Sequence, residues 1–350
     1  MDEYRTLLEI KNLHVEFSTY GGKIKAVRGV DLSIGQGECV AVVGESGCGK
    51  TVTAKSILRL LPYPQAKIKS GEIIFNDTDL LKLGEKEIQK IRGNRIGMIF
   101  QDPMTSLNPT MTVGRQISEV MMKHQKISKK EAREKTIDFL RLVGIANPDR
   151  RYKEYPGSLS GGLRQRVVIA IAMCLSPQLI LADEPTTALD VTIQAQILDL
   201  MRDLQEKFNT AIMLITHDLG VVANMARRVL VFYAGQIIEE GFSDNIFYTP
   251  THPYTWGLLK SMPGINSDNK ENLISIEGAP PDLFAPPKGC AFAARCDYAM
   301  NLCVEQEPPM IDLQGGHCAK CWLNYKDLPD SMRPLWMKSD RVDVNTMSSD

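Results

Sequence analysis

The segment Gly44-Glu45-Ser46-Gly47-Cys48-Gly49-Lys50-Thr51 restricts what this chain can fold into more than any other. Its glycines let successive backbone N–H groups turn inward on a phosphate, while Lys50 adds a point charge and the Thr51 hydroxyl can ligate Mg²⁺. Such a loop needs a strand before it and a helix after it. The run Cys39-Val40-Ala41-Val42-Val43 supplies a short buried strand, and Lys50 to Leu61 carries apolar residues at helical spacing up to Pro62. The bland alternative, a glycine turn ahead of an ordinary helix, does not require the lysine and threonine in register. Strand, loop and helix together predict a nucleotide-binding α/β domain, with the helix N-terminus adding positive potential.

Two more apolar runs repeat the theme. Leu179 to Ala182 ends in Asp183-Glu184-Pro185, and Ala211 to Ile215 ends in Thr216-His217-Asp218. Buried strands with polar residues at their carboxyl ends predict a parallel sheet with its site along that edge. The acids suit phosphoryl chemistry, so Asp183 is assigned to Mg²⁺ and Glu184 to general-base work on the attacking water. Alone, an acidic pair after a strand is as readily a helix N-cap. Near the start, Leu8-Glu9-Ile10 and Val15-Glu16-Phe17 alternate as surface strands do. Between Pro103 and Gly157, basic and acidic residues interleave with apolar ones, predicting an inserted helical subdomain.

Length and charge set outer limits. At 350 residues the chain can hold a large domain with an appendage. Its 41 basic and 42 acidic residues nearly cancel, which gives no general electrostatic reason to expect a nucleic-acid partner. The opening Met1-Asp2-Glu3-Tyr4 lacks the basic start and apolar core of a secretory signal, so export is not expected. The longest apolar stretch, Val167 to Leu175, falls short of the roughly 20 residues that span a bilayer.

Leu159-Ser160-Gly161-Gly162-Leu163-Arg164-Gln165-Arg166 then decides among phosphate-loop proteins. With it, the chain resembles the ABC transporter ATPase family over roughly residues 5 to 250. The motifs occur in the family's order: phosphate loop, Gln101, the Ser160-Gly161-Gly162 signature, Asp183-Glu184, the Ala188-Leu189-Asp190 turn, and His217. Leu163 departs from the glutamine common there and matches the peptide-importer branch. The resemblance implies a RecA-like core with an antiparallel β subdomain and a helical subdomain at about 103–158, all within residues 1–250. It further implies that two such subunits sandwich two ATP molecules head to tail. Each would supply Ser160, Gly161 and Gly162 to the nucleotide held by the other's Gly44, Ser46, Gly47, Cys48, Gly49, Lys50, Thr51 and Val52. Asp190 would complete the nucleotide contacts. Gln101 would touch Mg²⁺ and the attacking water, His217 would contact the γ-phosphate, and Tyr20 would stack on adenine, with Phe17 as the alternative platform.

From Tyr248 prolines become frequent and periodicity fades, which predicts a loop-rich C-terminal region over 251–350 with an end frayed beyond Lys338. Thr251-His252-Pro253-Tyr254-Thr255-Trp256 resembles the start of the extension in oligopeptide and dipeptide importer ATPases. Five of the eight cysteines lie between Cys290 and Cys321. Cys290, Cys296 and Cys303 are separated by five and six residues, and Cys321 follows after seventeen. By resemblance, those four ligate a [4Fe–4S] cluster. Their chemistry alone leaves zinc or free thiols open, and Cys318 competes with Cys321 for the fourth place. The resemblance implies an importer ATPase at the cytoplasmic face of a prokaryotic membrane. It would work with a second ATPase, a paralogue by family habit, two transmembrane permeases and an external binding protein. Di- or oligopeptides, nickel or another small solute are the candidate cargoes. A soluble ABC ATPase without a transport role and an iron–sulfur protein with a vestigial nucleotide fold are the rival readings.

Overall fold

The computed structural model describes residues 5–187, 189–261 and 276–338. Ala188 of the predicted turn, Pro263 and the tail beyond Lys338 lie outside them. The chain opens with a long hairpin, β1 (Thr6–Thr19) and β2 (Gly22–Gly35), and then enters the short buried strand β3 (Cys39–Val43). The phosphate loop leads into α1 (Lys50–Ile57). This helix ends a turn before the predicted Pro62, because Arg59 adopts a left-handed backbone conformation, with φ of 52°.

β4 (Ala66–Phe75) and the short β5 (Thr78–Asp79) join the hairpin in a four-stranded antiparallel sheet of order β2-β1-β4-β5. Leu8, Ile10, Leu13 and Val15 of β1 are buried there, alternating with polar neighbours except where bulges shift the register. This is the predicted antiparallel β subdomain. After α2 (Glu85–Ile91) and β6 (Ile96–Ile99) come the helices α3 (Pro103–Ser106), α4 (Val113–Gln125), α5 (Lys129–Leu142) and α6 (Pro148–Arg151). They fill the stretch predicted as a helical insertion. α4 packs on α5, with the buried hydroxyls of Ser118 and Thr136 2.9 Å apart between them.

The second half returns to the main sheet through α7 (Gly161–Met173), β7 (Leu179–Asp183), α8 (Val191–Phe208), β8 (Ala211–Ile215), α9 (Leu219–Met225), β9 (Arg228–Tyr233) and β10 (Gln236–Phe242). β3 lies between β8 and β9, parallel to both, and β7 and β6 extend the parallel set beyond β8. Successive β3 residues face opposite sides: Ala41 and Val43 enter the core shared with the helices, and Val40 and Val42 enter the core shared with the β subdomain. A sheet covered on both faces accounts for the unbroken apolar runs in the sequence.

The C-terminal region is less separate than its composition predicts. After α10 (Ser243–Tyr248) and α11 (Pro253–Lys260) come α12 (Asn301–Glu305) and the two-residue strands β11 (Ile311–Asp312) and β12 (Cys318–Ala319), before α13 (Leu335–Lys338). β12 pairs with β10, and β11 pairs with β12, so the tail closes one edge of the main sheet. Tyr254, Leu259, Ala291 and Phe292 bury themselves in the main core. A region too small for a core of its own thus uses its neighbour's.

The attachment centres on Glu239 of β10, which is completely buried. Its carboxylate accepts from the Thr251 backbone N–H at 2.6 Å, the Thr251 hydroxyl at 2.8 Å and the His252 backbone N–H at 3.1 Å, with the ring Nε2 of His317 at 2.9 Å. Glu239→Ala would orphan these groups together. We expect it to cost roughly 3–5 kcal/mol and to expose the tail to protease, read as a lower urea midpoint and early cleavage beyond residue 250.

Candidate functional site

The loop after β3 is shaped by contacts that exclude side chains. Gly44 has φ of 145°, and a Cβ there would stand 2.2 Å from the Phe232 carbonyl oxygen. At Gly49, with φ of 110°, a Cβ would meet the Ala26 carbonyl at 2.6 Å. Both positions therefore require glycine. Lys50 is buried, and its ammonium donates to the carbonyls of Gly44 at 2.7 Å and Glu45 at 2.8 Å, which places a positive charge inside the curve of the loop. Ser46 and Gly47 are exposed at its rim, Cys48 is buried beneath it, and Val52 lies in the first turn of α1.

The parallel order brings the ends of β7 and β8 alongside. The Thr51 hydroxyl donates to the Asp183 carboxylate at 2.8 Å, so the two residues assigned to Mg²⁺ from sequence are in contact. Burial raises the Asp183 pKa above the usual carboxylate range, and the proximity of Glu184 pushes the same way against the Thr51 hydrogen bond and Lys55. A divalent cation is the natural remedy for a carboxylate so placed.

Glu184 leaves the strand with φ of 48°, a conformation that costs a non-glycine residue roughly 1–2 kcal/mol. Its carboxylate accepts from the Gln101 amide at 2.8 Å and the Thr187 hydroxyl at 2.9 Å, and His217 Nδ1 lies at 3.2 Å. Gln101 comes from the end of β6 and His217 from the end of β8, so the acid gathers groups from three strand ends. Burial alone would raise the Glu184 pKa. The hydrogen bonds from Thr187 and His217, with the charges of His217 and Lys50, outweigh it and leave the pKa lowered. An ionised carboxylate held by neighbouring donors can accept a proton from a positioned water. Thr187 was not singled out in the sequence; its position three residues after Glu184 is the only local signal.

The other expected nucleotide residues stand elsewhere. Ser160 caps α7, accepting from the Leu163 N–H at 3.4 Å, and is exposed with Gly161. α7 packs on α3, α4, α5 and α8. Gly162 is pressed against Ile193, which a Cβ would meet at 2.8 Å. Asp190 caps α8, accepting from the Ile193 N–H at 3.0 Å. Tyr20 is fully exposed at the tip of the first hairpin, whereas Phe17 packs against the β-subdomain core.

In the tail, Cys290, Cys296, Cys303 and Cys321 line one small apolar cavity together with Phe292 and His252. Cys318 does not line it; it sits in β12, influenced by Glu240 and Asp312. Burial, with the neighbouring thiols adding to it, pushes Cys290 up to about 11 and Cys296 up to about 12, and raises Cys321 further. Among the described residues no group of three or more His, Cys, Asp or Glu side chains is gathered tightly enough to hold a single metal ion. Among the described residues, too, no helix is long and apolar enough to cross a membrane.

Sequence reading did not anticipate a link between tail and phosphate loop. The Arg295 guanidinium meets the Glu45 carboxylate with both terminal nitrogens, at 2.9 and 3.0 Å. The Glu45 backbone N–H also donates to the Tyr254 hydroxyl at 2.9 Å.

Known proteins resemble the chain along most of its length. Residues 27–187 match the family model described as ABC transporter, and residues 238–303 match that of the oligopeptide/dipeptide transporter C-terminal region. The chain is 57% identical to the oligopeptide transport ATP-binding protein OppD of Bacillus subtilis, over 95% of this chain and 93% of that one. It is 53% identical to the dipeptide transport ATP-binding protein DppD of the same organism, over 91% and 94% of the two chains. Among solved structures, a dimeric ATP-binding cassette in a post-hydrolysis state with ADP and Pi superposes with a TM-score of 0.61 at 29% identity, covering 68% of this chain and 99% of that one.

The hydrogen bonds at Glu184 carry a pH prediction. The Thr187 hydroxyl favours the ionised carboxylate, so Thr187→Val should raise the Glu184 pKa and make protonation set in at higher pH. The acid limb of the ATP-hydrolysis profile should therefore move upward, with the alkaline limb unchanged, as measured by kcat against pH.

Proposed function

The chain belongs to the ATP-binding subunits of the ABC oligopeptide and dipeptide transporters, and from that membership we propose that it hydrolyses ATP to drive import of di- or oligopeptides across the membrane. The observation that carries the mechanism is the Glu184 carboxylate, held by donors from three strand ends beside the Thr51–Asp183 pair. In this reading Lys50 and the loop amides bind the phosphates, Thr51, Asp183 and Gln101 serve Mg²⁺, and Glu184 takes the proton of the attacking water. Gln101 and His217 hold that carboxylate and report on the γ-phosphate. In this reading two chains complete a site, each lending the Ser160-Gly161-Gly162 start of α7 to the other's phosphate loop. The partner ATPase is a paralogue in this reading.

ATP favours the closed pair and loss of the γ-phosphate releases it, a cycle that does work only when coupled to permease subunits. Two transmembrane permeases and an external binding protein complete the machine, with this chain peripheral at the cytoplasmic face. Met104 and Tyr155 of the helical insertion, and Phe100 just before it, are exposed apolar side chains available to a permease segment. The match over residues 238–303 favours peptides over nickel or another small solute as cargo.

Cys290, Cys296, Cys303 and Cys321 are the proposed ligands of a [4Fe–4S] cluster. Four thiols facing one apolar cavity are a suitable donor set. A bound cluster would staple the tail, and no step of ATP hydrolysis draws on it.

Glu184→Gln should retain ATP binding, lose turnover by at least about a hundredfold and accumulate the closed pair on size-exclusion chromatography; undiminished hydrolysis would refute the base assignment. Protein purified without oxygen should contain about four iron and four sulfide per chain. Stoichiometric zinc in their place would remove the cluster from this reading.

A further inference from the structure

A carboxylate in a phosphate loop is a liability. Glu45 is the second residue of the loop, and its negative charge lies on the element that must attract a polyanion. Its backbone carbonyl is one of the two carbonyls that hold the Lys50 ammonium, so Glu45 cannot be displaced without disturbing that lysine. The structure gives this residue two further attachments, both from beyond residue 250. Tyr254 receives its N–H, and Arg295 takes its carboxylate in a two-pronged pair.

Arg295 is built to stay there. Its side chain is only 5% exposed, against 26% for Glu45. The remaining guanidinium hydrogens are spent on the Tyr233 hydroxyl at 3.2 Å, the Ile276 carbonyl at 3.1 Å and the Glu277 carbonyl at 2.9 Å. Every donor direction of the fork is used, an arrangement lysine cannot reproduce. In sequence Arg295 immediately precedes Cys296, so the clamp is part of the cysteine module itself.

We infer that Arg295 is a positioning residue for nucleotide binding: it neutralises Glu45 and turns that carboxylate away from the phosphates, which makes ATP affinity depend on the docked C-terminal module. The inference rests on the ATP-binding reading above and is independent of whether the cysteines carry a cluster. It predicts a pattern that a mere staple does not. If Arg295 acts by cancelling charge, its loss is harmful only while Glu45 is charged. If the pair only holds two segments together, loss of either partner is equally harmful.

The test uses the full-length chain and four variants, Arg295→Gln, Arg295→Lys, Glu45→Gln and the double Glu45→Gln/Arg295→Gln. Equilibrium ATP binding and the separate kcat and KM of hydrolysis are measured for each, with circular dichroism and thermal midpoint as controls. Arg295→Gln should weaken ATP binding and raise KM about tenfold with kcat little changed. Arg295→Lys, which keeps the charge but not the five-donor geometry, should restore part of that affinity. Glu45→Gln should bind ATP within about twofold of the parent or more tightly, and the double variant should match Glu45→Gln rather than Arg295→Gln.

Glu45→Gln binding ATP as weakly as Arg295→Gln, with no recovery in the double variant, would overturn the proposal, as would an unchanged affinity in Arg295→Gln. Because Glu45→Gln alone separates the two roles, the test survives even if the arginine variants fold poorly. A parent chain that binds no ATP would instead defeat the ATPase reading.

Discussion

The parallel placement of β3 between β8 and β9 is the constraint on which the rest depends. Because β3, β8 and β7 run the same way, the segments that leave their carboxyl ends emerge on one edge of the sheet. The phosphate loop, His217 and the Asp183–Glu184 pair are those segments. The edge also concentrates burial of charge, since Lys50 and Asp183 are each almost wholly enclosed. Enclosed charges are tolerated only when paired, and here each has a local partner: loop carbonyls for the ammonium and the Thr51 hydroxyl for the carboxylate. The site therefore stores electrostatic demand that phosphate and Mg²⁺ are suited to meet.

What sequence could disclose followed from how local each feature is. The glycine pattern, the three apolar strands and the Ser160 cap are written in contiguous residues, so their physics is visible without a fold. The convergence of Gln101, Glu184 and His217 is a product of strand order; the sequence suggested it only through the motif order of a family. The end of α1 was misjudged because Arg59 takes up a left-handed turn, and Pro62 lies too late to cause it. β11 and β12 are two residues long and carry no periodic signal at all. The Arg295–Glu45 pair spans 250 positions and links two segments that each look complete alone.

The C-terminal region illustrates how a loop-rich segment becomes ordered. It lacks enough apolar residues for a core, so it takes order from outside: two short strands on the edge of the main sheet, aromatic rings inserted into the main core, and a buried carboxylate that collects its backbone donors. Tyr233, Tyr254 and Phe292 form the hinge of this contact, with ring centroids 4.6 to 5.5 Å apart. Tyr233 ends β9 beside the phosphate loop, so the ring cluster joins the module to the motor through packing as well as charge.

These attachments differ in what they cost when broken. Glu239 is completely buried, so losing its bonds acts first on how firmly the module docks. The bond at Glu45 lies at the nucleotide, where an unpaired negative charge acts on binding before it acts on folding. A small module can govern the motor if one of its polar contacts, here Arg295 with Glu45, falls at the point of highest electrostatic sensitivity. Placement rather than size gives the cysteine region its leverage: the same ion pair on an exposed surface would contribute about 0–1 kcal/mol, whereas beside a triphosphate site it offsets a repulsion that the loop sequence itself introduces.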